Sequence, residues 1–179
     1  MNVLKELSLI GIVPVIKIDR VEDALPLAKA LIDGGLPCAE ITFRTAAAKD
    51  AIAAISKEYP DMIVGAGTVL TKEQVDDAIE AGSKFIVSPG FNPEIVKYCQ
   101  EKGCPIIPGI NNPTGIEQAL SLGLTTASRS PWNAQTGIVR TSAFQGIPPP
   151  QQGAIAANNS GYAIAVYHVP KPPILKPQR

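Results

Sequence analysis

Residues 38–45 read CAEITFRT, and this short segment has the pattern of a buried strand with polar groups near its end. Strand side chains alternate between two faces. One face is apolar and suited to packing beneath a helix, and it carries Ala39, Ile41 and Phe43. The other carries Glu40 and Arg44, at the strand end where α/β folds place their chemistry. An inward ion pair with a structural role is the alternative interpretation.

The same pattern recurs on both sides of this segment. Apolar runs predict strands at 10–18, 38–43, 62–64, 84–87, 104–107 and 124–126. Helix signals lie between them, including Asp19 as a cap, a helix start at Thr45 and Asn92 before Pro93. Thr71 with Gln74 has the spacing of a capping box. The chain therefore alternates strands with helices.

Glycines set the period of this alternation. Gly82, Gly103 and Gly123 each precede a strand, at intervals of 21 and 20 residues. One strand and one helix in each such interval predict parallel strands with right-handed crossovers. Short strands, short loops and polar strand ends favour a TIM-type (β/α)₈ barrel over an open doubly wound sheet. No GxGxxG or GxxxxGK[ST] motif supports the nucleotide-binding alternative.

Composition limits the class of protein. The chain has 179 residues, 45% of them hydrophobic, and zero formal net charge, so we expect one domain over residues 1–179. Balanced charge argues against nucleic-acid binding, and no apolar run predicts a membrane span. Three cysteines without a CxxC pair and a start without signal-peptide features indicate a cytoplasmic protein.

The charge distribution divides the chain. All 16 acidic residues lie within residues 1–117, and the chain beyond them carries eight of the 17 prolines. We therefore separate a regular βα part, residues 1–126, from an atypical tail, residues 127–179, that is rich in proline and free of acids. Within the tail, the apolar run 162–169 predicts one late strand, and residues 127–160 are expected to be irregular.

Five segments of the regular part resemble the 2-keto-3-deoxy-6-phosphogluconate / 2-keto-4-hydroxyglutarate aldolase family. They are IVPVIKID (12–19), EITFRT (40–45), GAGTVL (65–70), FIVSPG (85–90) and IIPGINNP (106–113). The resemblance implies a (β/α)₈ barrel, a homotrimer and a cytoplasmic enzyme of Entner–Doudoroff carbohydrate metabolism. It implies cleavage of a 2-keto-4-hydroxy acid to pyruvate and an aldehyde, with a lysine Schiff base and neither metal nor cofactor.

The resemblance also implies roles for residues at the strand ends. Glu40 is expected to be the catalytic acid–base group, with a pKa raised toward neutrality by burial. Arg44 is expected to hold a carboxylate or phosphate through paired hydrogen bonds. Thr68 is expected to contact the pyruvate end of the substrate, and Pro89 to shape the wall of the pocket. Lys17 is a further candidate contact for a carboxylate or phosphate, or an ion-pair partner of Glu40.

One position departs from the family pattern. Ser128 stands where the family places its Schiff-base lysine, and a serine hydroxyl cannot form an imine. The neighbouring Arg129 is no substitute, because its guanidinium stays protonated. An out-of-frame tail is the favoured explanation, and genuine divergence is the alternative. We expect about six intact βα units, an incomplete barrel and little aldolase activity. The alternatives are a non-catalytic binder of keto acids or phosphate and another phosphate-sugar barrel enzyme.

Overall fold

The computed structural model describes residues 2–128 and the backbone of a short strand at 162–164. Five parallel strands alternate with helices, and a sixth strand comes from the tail. The strands are β1 Val13–Ile16, β2 Cys38–Thr42, β3 Ile63–Gly67, β4 Phe85–Ser88, β5 Ile106–Pro108 and β6 Tyr162–Ile164. The helices are α1 Val3–Ile10, α2 Ala24–Asp33, α3 Ala48–Glu58, α4 Lys72–Glu80, α5 Pro93–Glu101 and α6 Pro113–Ser121, with a 3₁₀ turn at Val21–Asp23.

The strands form one sheet in the order β5-β4-β3-β2-β1-β6. Neighbouring strands from β1 to β5 pair in parallel, and Glu40 of β2 lies opposite Val15 of β1 and Gly65 of β3. This confirms the predicted series of βα units and the TIM-type lineage. Because parallel strands end at the same edge of a sheet, the segments after β1 to β5 all lie along one rim.

Each face of the sheet has its own apolar core. Ala39 and Ile41 of β2 belong to a large cluster that also contains Ile52 and Ile55 of α3. The opposite face, called here the inner face, packs a smaller cluster that includes Phe85. Its other buried members are Leu7, Val13, Cys38, Ile63, Val87 and Ile107. The alternation predicted for residues 38–43 is confirmed, with the helices covering the face of Ala39 and Ile41.

Several helix ends match the sequence signals. Thr71 and Gln74 form both bonds of a capping box at the start of α4, and Asn92 caps α5 with Pro93 in the first turn. Gly82 and Gly103 follow helices with φ of 90° and 69°. A left-handed φ is the backbone conformation that glycine adopts without steric cost.

Other boundaries in the first third were predicted wrongly. Ile10 belongs to α1, a helix capped by the Asn2 side chain and ended by Gly11 at φ 80°, so β1 is shorter than residues 10–18. Asp19 does not cap α2, because a 3₁₀ turn intervenes and its carboxylate pairs with Lys17. The helix expected to begin at Thr45 is α3, and it begins at Ala48.

The predicted sixth strand is reduced to one residue pair. Residues 124–126 form no strand, and Ser128 makes an isolated parallel bridge with Gly109 beyond β5. The backbone N–H of Ser128 donates to the Pro108 carbonyl oxygen at 2.9 Å, and that of Ile110 donates to the Ser128 carbonyl oxygen at 2.8 Å. The chain thus reaches the position of a sixth strand at Ser128.

The late strand was predicted at 162–169, and β6 occupies its first three residues. β6 pairs with β1 in the antiparallel sense, with Val13 opposite Ile164 and Val15 opposite Tyr162. A (β/α)₈ barrel has only parallel strands, so β1 meets a different partner in this chain. The expectation of an irregular segment at 127–160 lies outside the described residues from position 129 onward.

Candidate active site

Glu40 is the buried acid of the inner face. Its side chain is 3% exposed, and the carboxylate oxygen Oε2 has no hydrogen-bond partner among the described residues. Burial raises the pKa of Glu40 to about 7, against an opposing contribution from the positive charge of Arg44. A carboxyl group with a pKa near neutrality can accept and return protons at physiological pH.

Arg44 lies beyond the end of β2 in an exposed turn. Its Nε donates to the Thr68 Oγ1 atom at 3.4 Å. No salt bridge joins Arg44 to Glu40 in the described residues, so the alternative interpretation of an inward ion pair on β2 does not hold. The strand ends at Thr42, and Arg44 therefore does not follow the alternation that fixes the direction of Glu40.

Thr68 follows β3 in an unusual backbone conformation. Its φ is 59°, the only positive φ of a non-glycine residue in the described part of the chain. A left-handed conformation strains a β-branched residue, and such strain concentrates at functional sites. The strained turn brings the Thr68 hydroxyl to Arg44, so the two predicted substrate contacts lie together.

Lys17 also lies on this rim but is engaged elsewhere. Its Nζ is 2.6 Å from the Asp19 carboxylate oxygen Oδ1, and its side chain is 45% exposed. The ion pair suggested between Lys17 and Glu40 is therefore replaced by a pair between Lys17 and Asp19. The Lys17 ammonium remains accessible from solvent at the end of β1.

Pro89 follows β4 in a tight turn. The Ser88 hydroxyl donates to the Gly90 carbonyl oxygen at 2.9 Å and holds this turn closed. Pro89 lines a cavity of about 510 Å³ at the ends of β4 and β5, together with residues that include Gly109, Asn112 and Gln118. Of the five predicted site residues, only Pro89 lines this cavity. The cavity therefore lies at the ends of β4 and β5, whereas Glu40, Arg44 and Thr68 lie at the ends of β2 and β3 on the same rim.

Ser128 occupies the next position around the sheet. It is 4% exposed and sits beside Gly109, which also lines the cavity. The position that the family pattern assigns to a lysine is therefore buried and adjacent to the rim. Within residues 2–128, no three His, Cys, Asp or Glu side chains are grouped to hold a metal ion.

Gly67 is a site residue that the sequence reasoning missed. It lies under the Glu40 carboxyl, where a side chain on Gly67 would overlap that group. The sequence signal was the GAGT segment, in which glycine precedes the strained threonine directly after a strand. In the sequence this segment was only one of the five that resemble the family, and Gly67 was assigned no role.

The sequence matches a known protein family over most of its length. The family model described as KDPG and KHG aldolase matches residues 2–152. The chain belongs to the KDPG and KHG aldolase family. The match extends past residue 126, where the regular βα part of the sequence ends.

Individual relatives agree with this assignment. The 2-dehydro-3-deoxy-phosphogluconate aldolase of Treponema pallidum is 48% identical over 143 residues, which are 80% of this chain and 68% of that protein. The KDPG aldolase of Legionella pneumophila, solved with pyruvate captured at low pH as a covalent carbinolamine intermediate, matches with a TM-score of 0.67 and 36% identity. That match covers 70% of this chain and 61% of the solved one.

A second solved structure adds a ligand of another kind. The 2-keto-3-deoxy-6-phosphogluconate aldolase of Zymomonas mobilis ZM4, solved with 3-phosphoglycerate, matches with a TM-score of 0.65 and 40% identity. The match covers 69% of this chain and 59% of that one. The chain thus spans about six tenths of the length of these solved aldolases. None of the helices in the described residues has the length and apolar character to span a membrane.

Proposed function

We propose that this chain keeps the keto-acid site of the KDPG and KHG aldolases and lacks the amine that the reaction needs. It is expected to bind pyruvate-type acids and to cleave 2-keto-3-deoxy-6-phosphogluconate or 2-keto-4-hydroxyglutarate slowly or not at all. The observation that carries the proposal is the buried Glu40, whose pKa is raised to about 7 beside the Arg44 and Thr68 pair.

The chemistry of the family reaction assigns a task to each group. Breaking the C3–C4 bond of the substrate leaves an electron pair on C3, next to the keto carbon C2. A protonated imine at C2 accepts that pair, and a base removes the proton of the C4 hydroxyl. We assign the base to Glu40, whose raised pKa suits both the removal and the return of a proton.

The imine is the missing part. The carbinolamine of the Legionella pneumophila aldolase is the adduct that an amine and pyruvate form before an imine. In this chain the corresponding position is Ser128, by family resemblance, and its hydroxyl cannot provide a nitrogen. Without the imine, the electron pair released by cleavage has no acceptor, and turnover is expected to be very low.

Binding is proposed to persist because it uses other groups. The Arg44 guanidinium can form two parallel hydrogen bonds to the substrate carboxylate or a phosphate, and the Thr68 hydroxyl adds one more. Lys17 supplies a second positive charge on the rim, and Pro89 a rigid wall. These roles for Arg44, Thr68, Pro89 and Lys17 rest on the family pattern together with their shared position at the strand ends.

Calorimetric titration with pyruvate tests this binding. We expect measurable binding to the full chain and a roughly tenfold to hundredfold higher Kd for Arg44→Ala, because hydrogen bonds to charged groups contribute about 1.5–3 kcal/mol each. Arg20→Ala is the matched control, since Arg20 is an exposed arginine that pairs with Asp23. Absence of pyruvate binding by the unsubstituted chain would contradict the proposal.

The family resemblance supports further proposals about the setting. We propose a homotrimer, a cytoplasmic location and a role in Entner–Doudoroff breakdown of sugar acids. Light scattering during size-exclusion chromatography tests the assembly directly. A monomeric mass at concentrations where pyruvate still binds would refute the proposed homotrimer and leave the proposed pyruvate binding intact.

A further inference from the structure

Gly67 ends strand β3 directly beside the Glu40 side chain. It pairs with Thr42 of β2 and is buried. Unlike Gly82 and Gly103, Gly67 does not have a left-handed φ. Its backbone conformation is therefore open to any residue, and the absence of a side chain must have another cause.

Space is that cause. A Cβ atom added to Gly67 would overlap the Glu40 carboxylate oxygen Oε1, and it would lie 2.6 Å from Cδ and 2.7 Å from Cγ. Carbon atoms that are not bonded to each other prefer separations of about 3.5–4.0 Å. All three nearest atoms belong to the Glu40 side chain, so the smallest substitution, alanine, already takes the volume of this one carboxyl group.

The surroundings of the carboxyl restrict where it could move. Glu40 is 3% exposed, and Arg44 is the charged group in the described residues that affects its ionisation. The helix side of β2 is filled by Ala39 and Ile41, which belong to the large core. We therefore expect a displaced carboxyl to move toward the rim, where the exposed Arg44 lies beyond the end of β2.

We propose that Gly67 is a positioning residue that reserves the space in which the Glu40 carboxyl stays buried and apart from Arg44. The inference rests on the proposed function, in which Glu40 is the acid–base group. Gly67 itself contacts no reacting atom and acts through the Glu40 carboxyl. The GAGT segment then has two roles at this strand end. Thr68 adopts the strained left-handed conformation, and Gly67, which has no side chain, leaves room for the Glu40 carboxyl.

Gly65 offers a matched control on the same strand and the same face. The three atoms nearest to a Cβ added at Gly65 all belong to the aromatic ring of Phe85, whereas at Gly67 all three belong to Glu40. Gly65→Ala and Gly67→Ala therefore both crowd a buried site, and the side chain that is crowded first differs between them. A general packing role for glycine in β3 would give the two variants the same effect on Glu40.

The test is a carbon-13 NMR titration of the Glu40 carboxyl in the full-length chain. In Gly67→Ala, the midpoint is expected to fall from about 7 toward the ordinary glutamate value of about 4.5. In Gly65→Ala, a lower Tm with an unchanged Glu40 midpoint is expected. A Glu40 midpoint in Gly67→Ala that stays the same or rises overturns the proposal.

A double variant covers the case in which Gly67→Ala does not fold. Replacing Glu40 by alanine removes the overlapping atoms, so Gly67→Ala should lower the Tm far less in a Glu40→Ala background than in the unsubstituted chain. An equal loss of Tm in the two backgrounds overturns the proposal. Neither measurement needs pyruvate. Failure to bind pyruvate would therefore refute the proposed function, whereas the role of Gly67 is decided by the Glu40 midpoint and the Tm values alone.

Discussion

At the scale of single residues, Glu40 makes the stability of the protein depend on pH. Its pKa in the folded chain is raised from 4.5 to about 7 by burial. Between these two values the folded state binds the proton more tightly than the unfolded state. Ionisation of Glu40 therefore opposes folding, and its cost grows as the pH rises through this window.

We predict that the unfolding free energy falls by about 3 kcal/mol between pH 4.5 and pH 8 through this one group, since each unit of pKa difference corresponds to 1.36 kcal/mol. Glu40→Gln keeps the shape but cannot ionise, and it should remove most of this fall. Urea unfolding at a series of pH values measures both proteins. Parallel pH profiles for the two would show that the burial of Glu40 has no such effect.

Ser128 makes a second prediction at this scale. If the lysine is the missing element, Ser128→Lys should gain a borohydride-stable adduct with pyruvate, because the new amine can form the imine that serine cannot. Mass spectrometry of peptides locates the adduct. Ser128→Arg is the matched control, since it adds a charge of similar size without a nucleophilic amine. Labelling at Lys17 in the unsubstituted chain would instead assign the imine to the end of β1.

At the scale of elements, four helices end in the same way. In α2, α4, α5 and α6 the second residue after the helix cap donates its N–H to a carbonyl five residues earlier, as Cys104 does to Cys99 at 2.9 Å. The glycine before it is left-handed each time, and for α5 it is Gly103 at φ 69°. This Schellman arrangement satisfies the last carbonyl groups and directs the chain into the next strand.

Gly103 isolates the energetic contribution of that conformation. A Cβ added there would meet nothing within 4 Å, so any cost of Gly103→Ala comes from the left-handed φ. We predict a loss of roughly 1 kcal/mol in unfolding free energy, measured by urea denaturation. Gly90→Ala is the control, because its Cβ also meets nothing and its φ is not left-handed. Equal costs at the two positions would exclude φ as the cause.

At the scale of the whole molecule, the sheet has β6 where a closed barrel would place a parallel strand. An unpaired strand edge exposes backbone N–H and C=O groups and invites pairing. β6 pairs with the outer edge of β1 in the reverse direction, opposite Val13 and Val15. In the described residues the sheet is therefore open, with β5 and its single bridge to Ser128 at the other side.

Strand direction is directly measurable. We predict backbone NOEs between Val13 and Ile164 and between Val15 and Tyr162, because these residues are opposite each other in the antiparallel register. A parallel strand would reverse the assignment and place Tyr162 nearest Val13. The parallel contact of Val15 with Glu40 across β1 and β2 serves as the internal reference. The reversed pattern would restore the topology of an ordinary barrel strand.

Much of the fold followed from local signals in the sequence. Alternation placed Ala39 and Ile41 beneath helices, and the capping box at Thr71 and the glycine at 103 marked helix ends, because each depends on a few neighbouring residues. The helix at the N-terminus was missed although Asn2 and Gly11 mark its two ends. Leu9 and Ile10 of the helix lie next to the apolar residues of β1, and residues 10–18 were interpreted as one strand across Gly11.

The residues of the candidate site were also predicted from the sequence, which places Glu40, Arg44, Thr68 and Pro89 at successive strand ends and, by family resemblance, Ser128 in place of the lysine. Tertiary structure decided what these residues meet. The pairing of Lys17 with Asp19, the vacant side of Gly67 and the reversed strand β6 depend on atoms brought together from distant parts of the chain. Local patterns specify which groups line the rim, whereas burial and the distances between strands determine the environment of each group.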